Sequence, residues 1–293
     1  HIPGIVDAEK LWMHLCGMAK ALELDRHDIA AVAVSSLLGW VGVDRCGEAA
    51  TMCYTYTHAC KEVYNALELD KMRGRIYSIA GRRANPELGI FQLLHVQKTD
   101  PEAYIRVAAL ISLKDYINAK LTGRIAMDRT TAGYTMVYDT AIGRWHSELL
   151  HALKADESKL PDLLSPAELL GEVSDKVAQS MGLKAGTPVV VGSVDGSTGI
   201  LGAGGLEPGT LISVMGTTDT SFLVTDRPLR DSTQSLVLNP HVVPDRWLLG
   251  GPTGVYGGAV DWLQSTLLSK GKSLKELTEE AERLPRGSEG LFF

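Results

Sequence analysis

The segment that most narrows the folds open to this chain is Val189-Val-Val191-Gly192-Ser-Val-Asp195-Gly196. A short apolar run bounded by turn residues reads as a buried strand, and this one delivers a carboxylate into Gly196, Ser197, Thr198 and Gly199. In open α/β folds the carboxyl ends of such strands form the rim where ligands bind. Asp-Gly is equally a strong hairpin-turn signal. No strand follows at hairpin distance, because Ile200-Leu-Gly-Ala-Gly-Gly205 is glycine-rich and runs on to Pro208. On these residues alone both readings stand.

The rest of the chain alternates helical and strand patterns. Leu11, Leu15, Met18 and Leu22 form one stripe of a helix over 8–24, which leads into a buried strand at Ile29–Val34. Val41 and Val43 mark a second strand, ending at Asp44-Arg-Cys-Gly47, a type I turn that suggests a hairpin-like edge. Asp100-Pro101-Glu102 combines an N-cap, a proline at the first helical position and an acidic first turn, and predicts a helix running to about Leu121, where Thr122-Gly123 stops it. Strands are expected at 210–215 and 221–224 around Gly216-Thr217-Thr218, and helices near 258–268 and from Ser273, which has capping-box spacing to Glu276. Gly290-Leu-Phe-Phe293 reads as a strand being entered, and Glu207-Pro-Gly209 as a boundary between lobes.

Several function classes are excluded. The 293 residues carry 29 Lys and Arg against 35 Asp and Glu, a net charge of −6 with no basic run, which argues against nucleic acid and anionic membranes as partners. No apolar stretch approaches the roughly 20 residues that cross a bilayer. Cys16, Cys46, Cys53 and Cys60 form no Cys-x-x-Cys pair, and no basic and apolar leader opens the sequence, so a reduced, cytoplasmic protein is expected. There is no P-loop, and Gly202-Ala-Gly204-Gly-Leu-Glu207 fails the dinucleotide pattern at its last position. The eight histidines show no zinc spacing, and no Gly-x-Ser-x-Gly elbow exists. Gly216-Thr217-Thr218 offers backbone N–H groups and two hydroxyls, the chemistry a phosphate asks of a neutral loop, although Gly-Thr turns are common.

The order of these pieces resembles the FGGY carbohydrate kinases, which include xylulose, gluconate and glycerol kinases. Asp115-Tyr-Ile-Asn-Ala-Lys-Leu-Thr-Gly123 matches the family signature, and Asp128, Tyr138-Asp139 and Trp145 continue that block. Gly186-Thr-Pro-Val-Val-Val-Gly192, Asp195-Gly196, Gly202-Ala-Gly204, Pro208-Gly209 and Gly216-Thr-Thr218 follow in the family's order and spacing. The resemblance covers essentially the whole chain.

It implies an α/β fold of two actin-like, ribonuclease H-like lobes, with a sugar-binding lobe over 1–206 and the start of a nucleotide-binding lobe over 207–293. It implies ATP-dependent phosphorylation of a hydroxyl of a small sugar, polyol or sugar acid, using ATP and Mg2+. Asp195 would be the general base. Gly216, Thr217 and Thr218 would contact ATP phosphates, with Gly257 and Asp261 near the nucleotide, although Asp261 replaces an amide. Ser36, Leu37, Asp195 and Gly196 would meet the sugar, and no residue is assigned to a metal. A homodimer is among the assemblies expected. A non-catalytic sugar-binding or regulatory module of the same fold is the alternative. The family's first phosphate turn and its adenine-holding glycines have no counterpart in 1–293, so the chain is expected to be truncated at both ends and these residues alone not to turn over ATP. Ser36-Leu37-Leu38 and Tyr54-Thr-Tyr56-Thr-His58 replace the usual sugar-contact segments, so the sugar's identity does not carry over.

Overall fold

The computed structural model describes residues 4–216, 218–255, 257–266 and 272–291. Two compact units emerge, one of residues 1–210 with 223–249 and one of 211–222 with 250–293.

The first unit opens with α1 (Ala8–Ala21), capped by the Asp7 side chain, which accepts from the Lys10 amide at 3.0 Å. Its buried positions are Ala8, Trp12 and Ala19, whereas Met18 and Leu22 of the expected stripe are exposed. The Trp12 indole is the largest apolar surface on the helix, and burying it turns the helix by about one position.

β1 (Val32–Ser36) begins later than expected and alternates between half-buried and exposed residues. β2 (Gly39–Val43) is buried throughout. The Asp44–Gly47 turn forms, with the Gly47 amide donating to the Asp44 carbonyl at 3.1 Å. β2 is not an edge, however. It lies between β3 (Cys53–Thr55) and a later strand, in an antiparallel sheet of order Ile5–Val6, β3, β2, β4. After α2 (Arg73–Ala80), which ends at Gly81 in a left-handed C-cap, the predicted helix from Pro101 is in fact three elements. A short helix Pro101–Arg106 gives way to β4 (Ala109–Ser112) and then to α3 (Leu113–Thr122). Ala109-Leu-Ile-Ser112 is wholly buried as the outer partner of β2, so tertiary pairing overrides the helical reading. Ser112 and Asp115 form a capping box for α3, and Gly123 stops it with φ of 76°.

β5 (Ala126–Asp128) follows, and then the sheet that carries the site. β6 (Leu169–Glu172) pairs antiparallel with β7 (Pro188–Val194), and β7 pairs parallel with β1. α4 (Asp195–Gly202) continues directly from β7. β8 (Leu211–Met215) belongs to the second unit, β9 (Thr218–Thr225) and β11 (Trp247–Val255) each contribute to both units, and β10 (Val237–Pro240) belongs to the first. The second unit adds α5 (Gly257–Thr266) and α6 (Leu274–Ala281), the latter with the predicted Ser273–Glu276 capping box. Ser288–Gly290 is a 3-10 turn rather than a strand, and Phe292 and Phe293 lie outside the described residues.

Candidate active site

β7 and β1 run parallel, with Ser193 opposite Ser35 and Val194 opposite Ser36. Their register shifts between Val190 and Ser193, and Gly192 lies inside that irregularity with φ of 71°. Asp195 is the first residue of α4 and is exposed. One of its carboxylate oxygens accepts from the Gly196 amide at 2.7 Å. The hairpin-turn alternative for Asp-Gly is thereby removed, because the chain enters a helix. The Ser35 and Thr198 hydroxyls are 2.9 Å apart and join the end of β1 to the first turn of α4. Ser36 donates its hydroxyl to the Leu37 carbonyl at 2.9 Å, and the Leu37 side chain is exposed. Ser36, Leu37, Asp195 and Gly196 thus share one strand-end rim.

A buried polar network holds β7 from beneath. Lys114, Asp115 and Asp128 are at most 1% exposed. The Lys114 ammonium pairs with Asp115 and, at 2.9 Å, with Asp128. It also donates to the Val191 carbonyl at 3.2 Å, where the Asn118 amide donates at 2.7 Å. Burial pulls the Lys114 pKa down, but the two carboxylates outweigh it and hold the pKa above the usual lysine value. Burial pushes Asp115 up. Asp128 accepts from the Thr130 and Thr131 amides at 3.0 Å, and the Thr130 hydroxyl bonds to Ser193. The residues either side of Gly192 are therefore both tied to α3, β5 and the short helix after it.

A second arrangement lies close enough to Asp195 for its charge to act on Tyr134. Arg82, just past Gly81, is 6% exposed and has no carboxylate partner among the described residues. Its guanidinium donates to Asn239 Oδ1 and lies 4.3 Å from the Tyr134 ring centroid. Asn239 Nδ2 donates to the Tyr134 hydroxyl at 3.1 Å. Burial raises the Tyr134 pKa, the Arg82 charge opposes that, and the Asp195 charge adds to it. Sequence reasoning missed all three residues. They lie 52 and 105 positions apart, counting from Tyr134 to Arg82 and to Asn239 (134 − 82 and 239 − 134), and no motif links them.

In the second unit the Gly257 amide donates to the Gly216 carbonyl at 2.9 Å, so two of the expected nucleotide residues meet. Thr217 lies outside the described residues, and Thr218 begins β9. Asp261 is exposed, one turn along α5 from Gly257.

Two histidine settings complete the description. His58 and His95 stack against each other and Tyr54 with ring centroids 5.0 to 5.7 Å apart. His241 is buried; its Nδ1 accepts from the Val243 amide at 2.8 Å, so Nε2 carries the proton that it gives to the Gly205 carbonyl at 2.8 Å. Among the described residues no three His, Cys, Asp or Glu side chains converge as metal ligands, and no helix is long and apolar enough to cross a membrane.

A sequence profile described as "FGGY family of carbohydrate kinases, N-terminal domain" matches residues 7–202. The chain belongs to the FGGY family of carbohydrate kinases. Among curated FGGY relatives, the autoinducer-2 kinase of Klebsiella pneumoniae subsp. pneumoniae is 28% identical over 310 residues, covering 99% of this chain and 58% of the relative. Among solved FGGY structures, xylulose kinase from Rhodospirillum rubrum superposes with a TM-score of 0.89 at 22% identity, over 99% of this chain and 62% of that one. Gluconate kinase from Lactobacillus acidophilus gives 0.85 at 24% identity, over 98% and 58%. These likenesses show the fold, the actin-like α/β fold expected of the FGGY family. The chain spans somewhat under two thirds of the length of the FGGY proteins it matches.

Proposed function

We propose that the protein to which this chain belongs transfers the γ-phosphoryl group of ATP to a hydroxyl of a small sugar, polyol or sugar acid, with Asp195 as general base. The observation that carries this reading is the exposed Asp195 carboxylate at the junction of β7 and α4, flanked through the parallel register by Ser36. An alcohol is a poor nucleophile at neutral pH, and a positioned base typically contributes about 10² to 10⁴ in rate. The carboxylate is solvent-reachable and one oxygen is engaged only by the adjoining Gly196 amide, which leaves the other to receive the hydroxyl proton as the oxygen attacks phosphorus.

ATP phosphates would lie against the loop from Gly216 to Thr218, where Gly257 ties down the loop's first carbonyl. The donor set fits a Mg2+ that arrives with the nucleotide rather than a resident ion. No cluster of three ligating side chains is present among the described residues, and Mg2+ commonly rests on substrate phosphates, water and one or two carboxylates. When bound, it would neutralise charge on the phosphates. The first unit would hold the acceptor through Ser36, Leu37 and Gly196.

The test is ADP release by the full-length protein over a panel of pentuloses, hexuloses, polyols and sugar acids. Asp195→Asn is isosteric but takes no proton, and should lower kcat by about 10² or more with the fold intact. Unchanged turnover would remove Asp195 from the role.

A further inference from the structure

Asn239 imposes a direction on the groups around it. Arginine only donates, so the Asn239 atom that meets Arg82 is the carbonyl oxygen, and the amide nitrogen must face Tyr134. The Tyr134 oxygen therefore accepts from Asn239, and its own proton is left for another partner. Among the described residues none takes it. Burial, with the Asp195 charge, holds the phenol above its ordinary value of 10.0 despite Arg82, so at neutral pH Tyr134 is a protonated donor. A buried cation at the head of the chain polarises each bond after it toward stronger donation.

We infer that Tyr134 gives this proton in a hydrogen bond to an oxygen of the acceptor sugar bound at Asp195, with Arg82 and Asn239 as positioning residues that aim the phenol. The inference rests on the reading of the Asp195 rim as the acceptor site. It also accounts for a guanidinium buried without a counter-ion. A buried charge that lacks a carboxylate is costly, and here it is placed where its donor-only chemistry fixes the orientation of two further side chains.

The experiment is steady-state kinetics of the full-length protein and its Tyr134→Phe variant, with D-xylulose, D-ribulose, D-gluconate and glycerol as probes, across pH. For the probes that the unaltered protein phosphorylates, Tyr134→Phe should raise KM for the sugar about tenfold, the size of one hydrogen bond lost to substrate. KM for ATP and the pH profile of kcat should stay in place. Arg82→Gln should reproduce part of the rise in sugar KM, and Arg82→Lys, which still donates to Asn239, should restore most of it. An unchanged sugar KM in Tyr134→Phe, with sugar-dependent ADP release intact, overturns this inference and leaves the proposed function standing. A displaced kcat pH profile also overturns it, because the phenol would then be serving Asp195 rather than the sugar. Absence of turnover with every probe in the unaltered protein overturns the reading of the site, and this inference with it.

Discussion

Gly192 lies so close to Val34 that a Cβ on it would sit 2.1 Å from the Val34 carbonyl oxygen. The clash is with backbone, which cannot swing aside, and the φ of 71° is itself disfavoured for any residue with a side chain. This contact lets β7 shift register against β1 two residues before Val194, and so decides where Asp195 emerges.

Gly192→Ala is therefore expected to destabilise the fold by at least about 2 kcal/mol, combining left-handed strain with a backbone collision. Chemical denaturation would measure it. Any folded fraction should also lose turnover beyond its loss of stability, and a variant as stable as the parent would show that β1 moves freely.

Lys114→Met should be more damaging, at about 3 to 5 kcal/mol, because it strands Asp115 and Asp128 as buried carboxylates. Adding Asp115→Asn and Asp128→Asn should recover part of that loss. Comparison of denaturation midpoints across the single and combined variants tests it, and equal losses in both would assign the effect to packing rather than charge.

The pH dependence of stability follows from three histidines. Burial lowers the pKa of His241, His58 and His95 below the ordinary 6.5, aided by Arg246 at His241 and by the opposing ring charge of His95 at His58. Each binds its proton more weakly when folded, so the unfolded chain gains protons first. Stability should fall as pH drops through about 6.5 toward the folded pKa values. His241→Gln should flatten part of that slope in thermal melts between about pH 7.5 and about pH 5.5. A melt temperature indifferent to pH in this range would contradict it.

β1 pairs only with β7 among the described strands, and Ala31 to Ser35 line an open apolar groove with Leu15, Ile117 and Leu183. An unpaired edge beside apolar surface favours self-association. Residues 1–293 are expected to self-associate with rising concentration, and Ala33→Lys, at an exposed β1 position, should suppress it in light scattering. Concentration-independent monomers would oppose this.

Local chemistry was legible wherever a short-range signal acted alone. The Asp7 and Ser273 caps, the Asp44 turn, the Gly123 stop and the strand before Asp195 all depend on neighbours within a few residues, and are found where sequence places them. The 101–121 segment misled because proline and acidic residues mark a helix start truthfully but do not say how long it lasts. Strand β4 exists because β2 offers it a partner some 70 residues earlier (111 − 41 for Ile111 and Val41). Of the site, Asp195 and its rim could be read. Arg82, Tyr134 and Asn239 could not, since only folding brings them together.

The parallel ladder between β7 and β1 closes at Val194 and Ser36, and Leu37 beyond it has an exposed side chain. Ser36 and Leu37 can thus be exchanged with little cost to the scaffold, whereas Gly192, Lys114 and Asp128 tolerate almost nothing. The rim combines a rigid base with two freely variable positions beside it. Such a layout lets selection, or a saturation library at residues 36 and 37, retune acceptor preference without rebuilding the chemistry.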